Sequence, residues 1–167
     1  MAGGWVCPEC AVDYDTLTLD ALAPTARHLT SEWGRLISGS PAEALRRRPA
    51  PTTWSPLEYA AHTRHVTEEL TAIVSAMAAG QTPPDMVDPD VAVVEQAWNE
   101  EDPHGTLDGL VTAAGAYADR VSGLTREEAA QEADFPYGRR DALTMAQNAV
   151  HEMTHHLMDA RRGLGAV

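Results

Sequence analysis

Apolar side chains recur three and four positions apart along most of this chain, the spacing that lines one face of an α-helix. Leu29, Trp33, Leu36 and Ile37 predict a first helix from Pro24 to about Ser38, with Gly39 just past its end. Residues 40–53 are broken by prolines and read as a connector with at most one helical turn. Ser55-Pro56-Leu57-Glu58 is a capping box with proline at the first helical position, the clearest start signal in the chain. It opens a second helix running to about Ala79, with Tyr59, Val66, Leu70, Ile73 and Met77 as its stripe. A Pro- and Asp-rich linker over residues 81–90 precedes a short helix from Val91 to Asn99. A third long helix is predicted from about Thr106 to Val121, closed by Ser122-Gly123. Residues 125–138 read as a short helical turn and a loop through Phe135-Pro136-Tyr137-Gly138. The last helix starts near Asp141 and ends at Gly163, with Leu143, Ala146, Val150, Met153 and Leu157 as its stripe. Arg161 and Arg162 in its final turn suit the negative end of the helix dipole. No internal repeat or strand pattern stands out. Four long amphipathic helices predict an all-α fold, a four-helix bundle over residues 21–167 behind an irregular N-terminal segment over residues 1–20.

Composition narrows the function classes. A length of 167 residues suits one domain, and a single Phe in an Ala-rich chain favours helix over sheet. Twelve basic against 25 acidic side chains give −13, which excludes a nucleic-acid partner on electrostatic grounds. No apolar run approaches the roughly 18 residues that a membrane span needs. Met1-Ala2-Gly3-Gly4-Trp5 lacks the basic and apolar regions of a signal peptide, so a cytoplasmic location is expected. The expected assembly is a monomer or homodimer acting on a small-molecule substrate.

The chemistry concentrates at His151-Glu152-Met153-Thr154-His155. Residues four apart share a helix face, so His151 and His155 can offer two imidazoles to one ion. In zinc proteases with this HExxH spacing, Glu152 would be the general base and a third ligand would follow downstream. The extended protease pattern asks for Gly at Met158 and His at Arg161, and neither is present. Twelve residues follow His155 and, beyond the adjacent His156, none is His, Cys or Glu, which sends the search for a third ligand upstream. His104 sits in a Pro-Gly loop, and His28 lies near the polar start of the first helix. His62 falls between Tyr59 and Val66 on the face that must be buried, with His65 as the alternate. Three imidazoles leave one coordination position open, the arrangement of a catalytic zinc. Glu152, about 100° around the helix from His151, is a candidate base or a surface acid. His156 is a candidate substrate-contacting or supporting group, and Asp159 a candidate orienter of His155.

The run Trp54-Ser55-Pro56-Leu57-Glu58-Tyr59-Ala60-Ala61-His62, followed far downstream by His151-Glu152-Met153-Thr154-His155-His156, resembles the DinB-like superfamily. That resemblance implies a four-helix bundle holding a divalent ion, zinc first, with nickel, iron or manganese as alternatives. The family includes S-transferases that use mycothiol or bacillithiol and a mycothiol-dependent maleylpyruvate isomerase. Its metal triad, one His of the second helix and an HxxxH pair of the last, carries over to His62, His151 and His155, with Glu152 and His156 as the catalytic candidates beside them. The N-terminal run Cys7-Pro8-Glu9-Cys10 is similar to that of actinobacterial members, whose small thiol is mycothiol. Many relatives carry Arg-Gly-Gln after the paired histidines, where this chain has Leu157-Met158-Asp159. The implied activity is a metal-dependent thiol S-transferase or isomerase acting on a small electrophile with mycothiol as cosubstrate. A hydrolase or lyase on the same triad, or a bundle that binds metal without catalysis, is the alternative.

Three further features have two readings each. Cys7 and Cys10 have zinc-knuckle spacing but supply two of four ligands, and otherwise form a redox pair or two free thiols. Arg46-Arg47-Arg48 is either a carboxylate clamp or a solvated connector. Trp33, Trp54 and Trp98 read as packing anchors rather than a ligand cage.

Overall fold

The computed structural model describes residues 5–165. It contains α1 (Leu19–Ser38), α2 (Ala42–Arg46), α3 (Pro56–Ala78), α4 (Pro89–Glu95), a 3-10 turn (Trp98–Glu100), α5 (Pro103–Ser122), α6 (Arg126–Ala129), β1 (Glu132–Phe135), β2 (Gly138–Asp141) and α7 (Ala142–Gly163). The four long helices form a bundle in which α3 packs against α5 and α7, and α1 packs against the same two. Consecutive long helices α1 and α3 therefore stand across the diagonal, as do α5 and α7.

Helix α3 begins as its capping box requires. The Ser55 hydroxyl accepts from the Glu58 N–H and the Glu58 carboxylate accepts from the Ser55 N–H, with Pro56 at the first helical position. Helix α1 starts five residues before the expected Pro24, because burying Leu22 and Ala23 favours continuing the helix toward its N-terminus. Pro24 lies inside it, and the carbonyl left without its helical donor is that of Asp20, an exposed residue in the first turn. The core is aliphatic, with Leu22, Leu57, Leu70, Ile73 and Leu110 fully or nearly fully buried. Two polar aromatics tie α7 to its neighbours: Trp33 Nε1 donates to the Met153 carbonyl (3.2 Å), and Tyr117 donates to that of Ala146 (2.7 Å). Each gives a buried polar atom its partner.

One element differs from the expected loop. Residues 132–141 form a hairpin, pairing Glu132 with Asp141 and Phe135 with Gly138. Gly138 makes the turn at φ +108°, and an Arg139–Glu132 ion pair (2.9 Å) bridges the strands. The segment before α1 is ordered as well. It makes a short turn with an isolated bridge between Val6 and Asp13, and it lies on α7, where Gln147 donates to the carbonyls of Tyr14 (2.8 Å) and Leu17 (2.9 Å).

The arginine run serves the fold. Arg48 binds the buried Glu58 carboxylate, and Arg46 donates to the Glu101 carbonyl (2.7 Å). Trp33 and Trp98 are fully buried, as expected of packing anchors.

Candidate metal centre

The bundle dictates which way each residue of α7 faces. Its core stripe of Ala146, Val150, Met153, Leu157 and Ala160 is buried. At about 100° per residue, Glu152 and His156 lie roughly 100° and 60° from Met153, on the flank toward α3. His151 and His155 lie roughly 160° from it on either side, on the back of the helix.

The structure accordingly brings His62 together with Glu152 and His156, and not with His151 and His155. Among the described residues, His62, Glu152 and His156 form one group with ligand atoms converging, and Cys7, Cys10, His151 and His155 form another. The expected triad is thus divided between two faces of α7. Of the other histidines considered, His28 and His104 are exposed, while His65 lies one turn beyond His62 beside Glu69 (3.6 Å).

His62 is 6% exposed. Its Nε2 stands 3.4 Å from Glu152 Oε2, and His156 Nε2 stands 3.0 Å from the same oxygen. Two ligands each about 2.0–2.1 Å from a tetrahedral ion lie about 3.3 Å apart, so both imidazole nitrogens already stand at ligand spacing from the Glu152 oxygen, and the group's ligand atoms all lie within 4.8 Å of one another. Asp159 Oδ2 lies 3.2 Å from His156 Nδ1, which fixes the ring with Nε2 toward the centre, the carboxylate–histidine pairing usual around metal ligands. His62 Nδ1 is buried without a partner. Trp54 packs edge-on to His62 (5.1 Å) and Tyr59 stacks on His156 (5.3 Å), so aromatic walls hold both rings.

The charges follow from this packing. Burial lowers the pKa of His62 and favours its neutral form, the form that binds metal, against an opposing pull from Glu152. Burial also opposes charge on His156, but Asp159 and Glu152 outweigh it and raise its pKa to about 9. Burial disfavours the Glu152 carboxylate, yet His156 and His62 hold it well below the usual carboxylate range. A dense negative centre with imidazoles around it is what a divalent cation would replace the protons of.

The group opens onto a cleft of about 290 Å³ lined by Trp54, His62, His65, Val66, Glu69, Met86, Val87, Pro89, Glu152 and His156. No Arg or Lys is among these lining residues, so a bound ion would be the strongest positive charge facing a substrate.

On the other face of α7, Cys7 Sγ lies 3.6 Å from His155 Nδ1, and the Tyr14 hydroxyl lies 3.4 Å from His151 Nδ1. Burial pushes the Cys7 thiol up, but backbone N–H groups of Cys10 and Glu9, with His151, more than offset it and bring it below its ordinary value. Asp159 reaches His155 Nε2 at 3.5 Å, so the expected orienter of His155 touches both neighbouring histidines.

The DinB superfamily model matches residues 25–159, and the chain belongs to that superfamily. Comparison with curated proteins finds no match. Among solved structures, the mycothiol-dependent maleylpyruvate isomerase superposes with a TM-score of 0.73 at 16% identity, covering 88% of this chain and 62% of that one. A histidine-to-alanine mutant of the same isomerase gives a TM-score of 0.73 at 18% identity, covering 92% and 63%. This chain therefore spans less than two thirds of the isomerase. YfiT from Bacillus subtilis, described as a probable metal-dependent hydrolase with an unusual four-helix bundle topology, gives 0.76 at 13% identity, covering 91% and 90%. These likenesses establish the DinB-like fold. No helix among the described residues is long and apolar enough to cross a membrane.

Proposed function

We propose that this chain is a metal-dependent enzyme whose ion is held by His62, Glu152 and His156, and that it transfers or isomerises through a small thiol such as mycothiol. The observation that carries the proposal is the convergence of His62 Nε2 and His156 Nε2 on Glu152 Oε2 at the edge of the cleft. Two imidazoles and one carboxylate are a donor set that suits zinc and other first-row divalent ions. An ion bound by three protein ligands keeps a position open and lowers the pKa of a thiol or water there toward neutrality, supplying the nucleophile.

The protein's own part is positional. Asp159 fixes the tautomer of His156, burial keeps His62 neutral, and both rings are braced by Tyr59 and Trp54. Met86, Val87 and Pro89, on the loop before α4 and at its start, form an apolar wall that would exclude water from an electrophile in the cleft. The glutamate and second histidine expected as catalytic groups are here assigned as ligands, and His151 and His155 are assigned elsewhere.

Hydrolysis on the same centre is the second reading. It is favoured by the length match, since this chain spans 90% of the structure described as a probable metal-dependent hydrolase.

One assay separates the two. Zinc-loaded protein is mixed with a soft electrophile, with and without mycothiol. Thiol-dependent conjugation that stops on chelation and returns with zinc supports transfer. Metal-dependent turnover of an ester or amide panel without thiol supports hydrolysis. No metal-dependent rate in either arm, from protein shown to carry the ion, removes both.

A further inference from the structure

We infer that Cys7, Cys10, His151 and His155 form a second, closed zinc site that fastens the N-terminal segment to the back of α7. It is separate from the open centre proposed above and has a structural task.

The four side chains offer ligand atoms that all lie within 4.8 Å of one another. Cys7 Sγ and His155 Nδ1 are 3.6 Å apart. Bond lengths of about 2.3 Å to sulfur and about 2.05 Å to nitrogen place tetrahedral S and N ligands about 3.6 Å apart. The pair is therefore already at ligand spacing. His151 Nε2 is buried with no hydrogen-bond partner, an unsatisfied polar atom that costs free energy unless something binds it. The opposite nitrogen of each histidine is engaged: His151 Nδ1 by the Tyr14 hydroxyl at 3.4 Å, His155 Nε2 by Asp159 at 3.5 Å. Such outer partners fix the ring so that the remaining nitrogen faces the ion.

The N-terminal segment has the backbone of a metal-binding turn. Ala11 N–H donates to the Cys7 carbonyl (2.9 Å), Cys7 N–H donates to that of Val12 (2.8 Å), and Ala11 adopts φ +59°. A non-glycine residue in that conformation is held by its surroundings rather than by its own preference. The turn buries Cys7 to 4% exposure, and among the described residues ahead of α1 it is the only buried one. Zinc supplies what so small a core does not.

His151 and His155 sit on the back of α7, where a soluble helix ordinarily presents charged or polar side chains to water. Their four-residue spacing is explained once they bind an ion together with Cys7 and Cys10. The stretch from His151 to His156 thus contains ligands of two sites in adjacent positions: 151 and 155 for the closed one, 152 and 156 for the open one. Two thiolates and two imidazoles fill a tetrahedral ion, leaving no position for substrate. Glu9 with His155 and Asp159 is a competing group, but Glu9 is exposed and engaged by Arg162 (3.2 Å).

The test measures zinc per chain in the full-length protein and the absorption of its cobalt-substituted form. Two equivalents and a thiolate-to-cobalt charge-transfer band are expected in the wild type. The double variant Cys7→Ser, Cys10→Ser is expected to lose one equivalent and the band. His62→Ala is expected to lose the other equivalent and keep the band. A wild-type cobalt spectrum without the thiolate band overturns the inference without recourse to any variant, as does a Cys7–Cys10 disulfide in zinc-treated protein. Metal lost on His62→Ala alone overturns it while leaving the proposed function standing. Metal lost on the cysteine changes alone supports it while removing the proposed function.

Discussion

Removing Glu58 tests how α3, the helix that carries His62, is anchored. Its carboxylate is 2% exposed and accepts from the Ser55 N–H at 2.7 Å and from Arg48 Nε at 2.8 Å. Glu58→Ala leaves the buried Ser55 N–H unpaired, at about 1–3 kcal/mol, and removes half of a capping box, at about 1 kcal/mol. Arg48 is 37% exposed and regains water, so the loss of its ion pair adds less than for a fully buried cation. The expected total is about 3 kcal/mol, or about 6–12 °C in Tm for a domain of this size. Arg48→Ala is expected to cost at least as much, because it strands the carboxylate in the interior, where such breaks cost about 3–5 kcal/mol. The double variant should cost less than the sum, since neither charge is then left alone. Urea unfolding followed by far-ultraviolet circular dichroism gives all four corners of this cycle. Additive effects, or a loss below about 1 kcal/mol for Glu58→Ala, would refute the idea that this buried pair fixes the start of α3. His62 is one turn downstream, so zinc affinity should fall in the same variants.

Three further outcomes follow from the same geometry. Leu70→Ala, at a fully buried position of α3, should cost about 3 kcal/mol in urea unfolding; a loss under about 1 kcal/mol would mean that the core collapses around it. Burial would raise the pKa of Glu101, but Arg64 (2.9 Å to each oxygen) and Thr106 (2.6 Å) hold it below the carboxylate norm. Its stabilising effect is thus present above the unfolded pKa of about 4.3 and lost as pH falls through the folded value, so the stability gap between wild type and Glu101→Gln should close from pH 7 toward acid, and a gap that widens would contradict this. Asp159→Asn should weaken zinc binding about 10–100-fold by loosening His156, as read by competition with a chelator; unchanged affinity would show that Asp159 does not position it.

Much of the fold is legible in the sequence because its signals are local. Ser55 to Glu58, Gly39 and the stripe from Val66 to Met77 fix helix ends and faces through hydrogen bonds and spacing within a few residues. The hairpin is not legible. Glu132-Ala133-Asp134-Phe135 alternates over only four residues and Gly138-Arg139-Arg140-Asp141 carries no apolar side chain, so the period is too short to read, and cross-strand charge with a positive-φ glycine helps to hold the pair. His62 is legible from its place among buried neighbours. The HExxH spacing shows that His151 and His155 share a face but not which face. The stripe of Val150, Met153 and Leu157 supplies that reference, and it turns Glu152 and His156 toward α3. The contact of Cys7 with His155 pairs residues nearly 150 positions apart, which no local pattern encodes.

The central claim concerns one ion on one face of α7. Crystals of zinc-loaded protein, measured on both sides of the zinc absorption edge, locate that ion without reference to activity. An anomalous peak is expected about 2.0–2.2 Å from His62 Nε2, His156 Nε2 and Glu152 Oε2. A peak joining His62 to His151 and His155, or no zinc at His62, would contradict it.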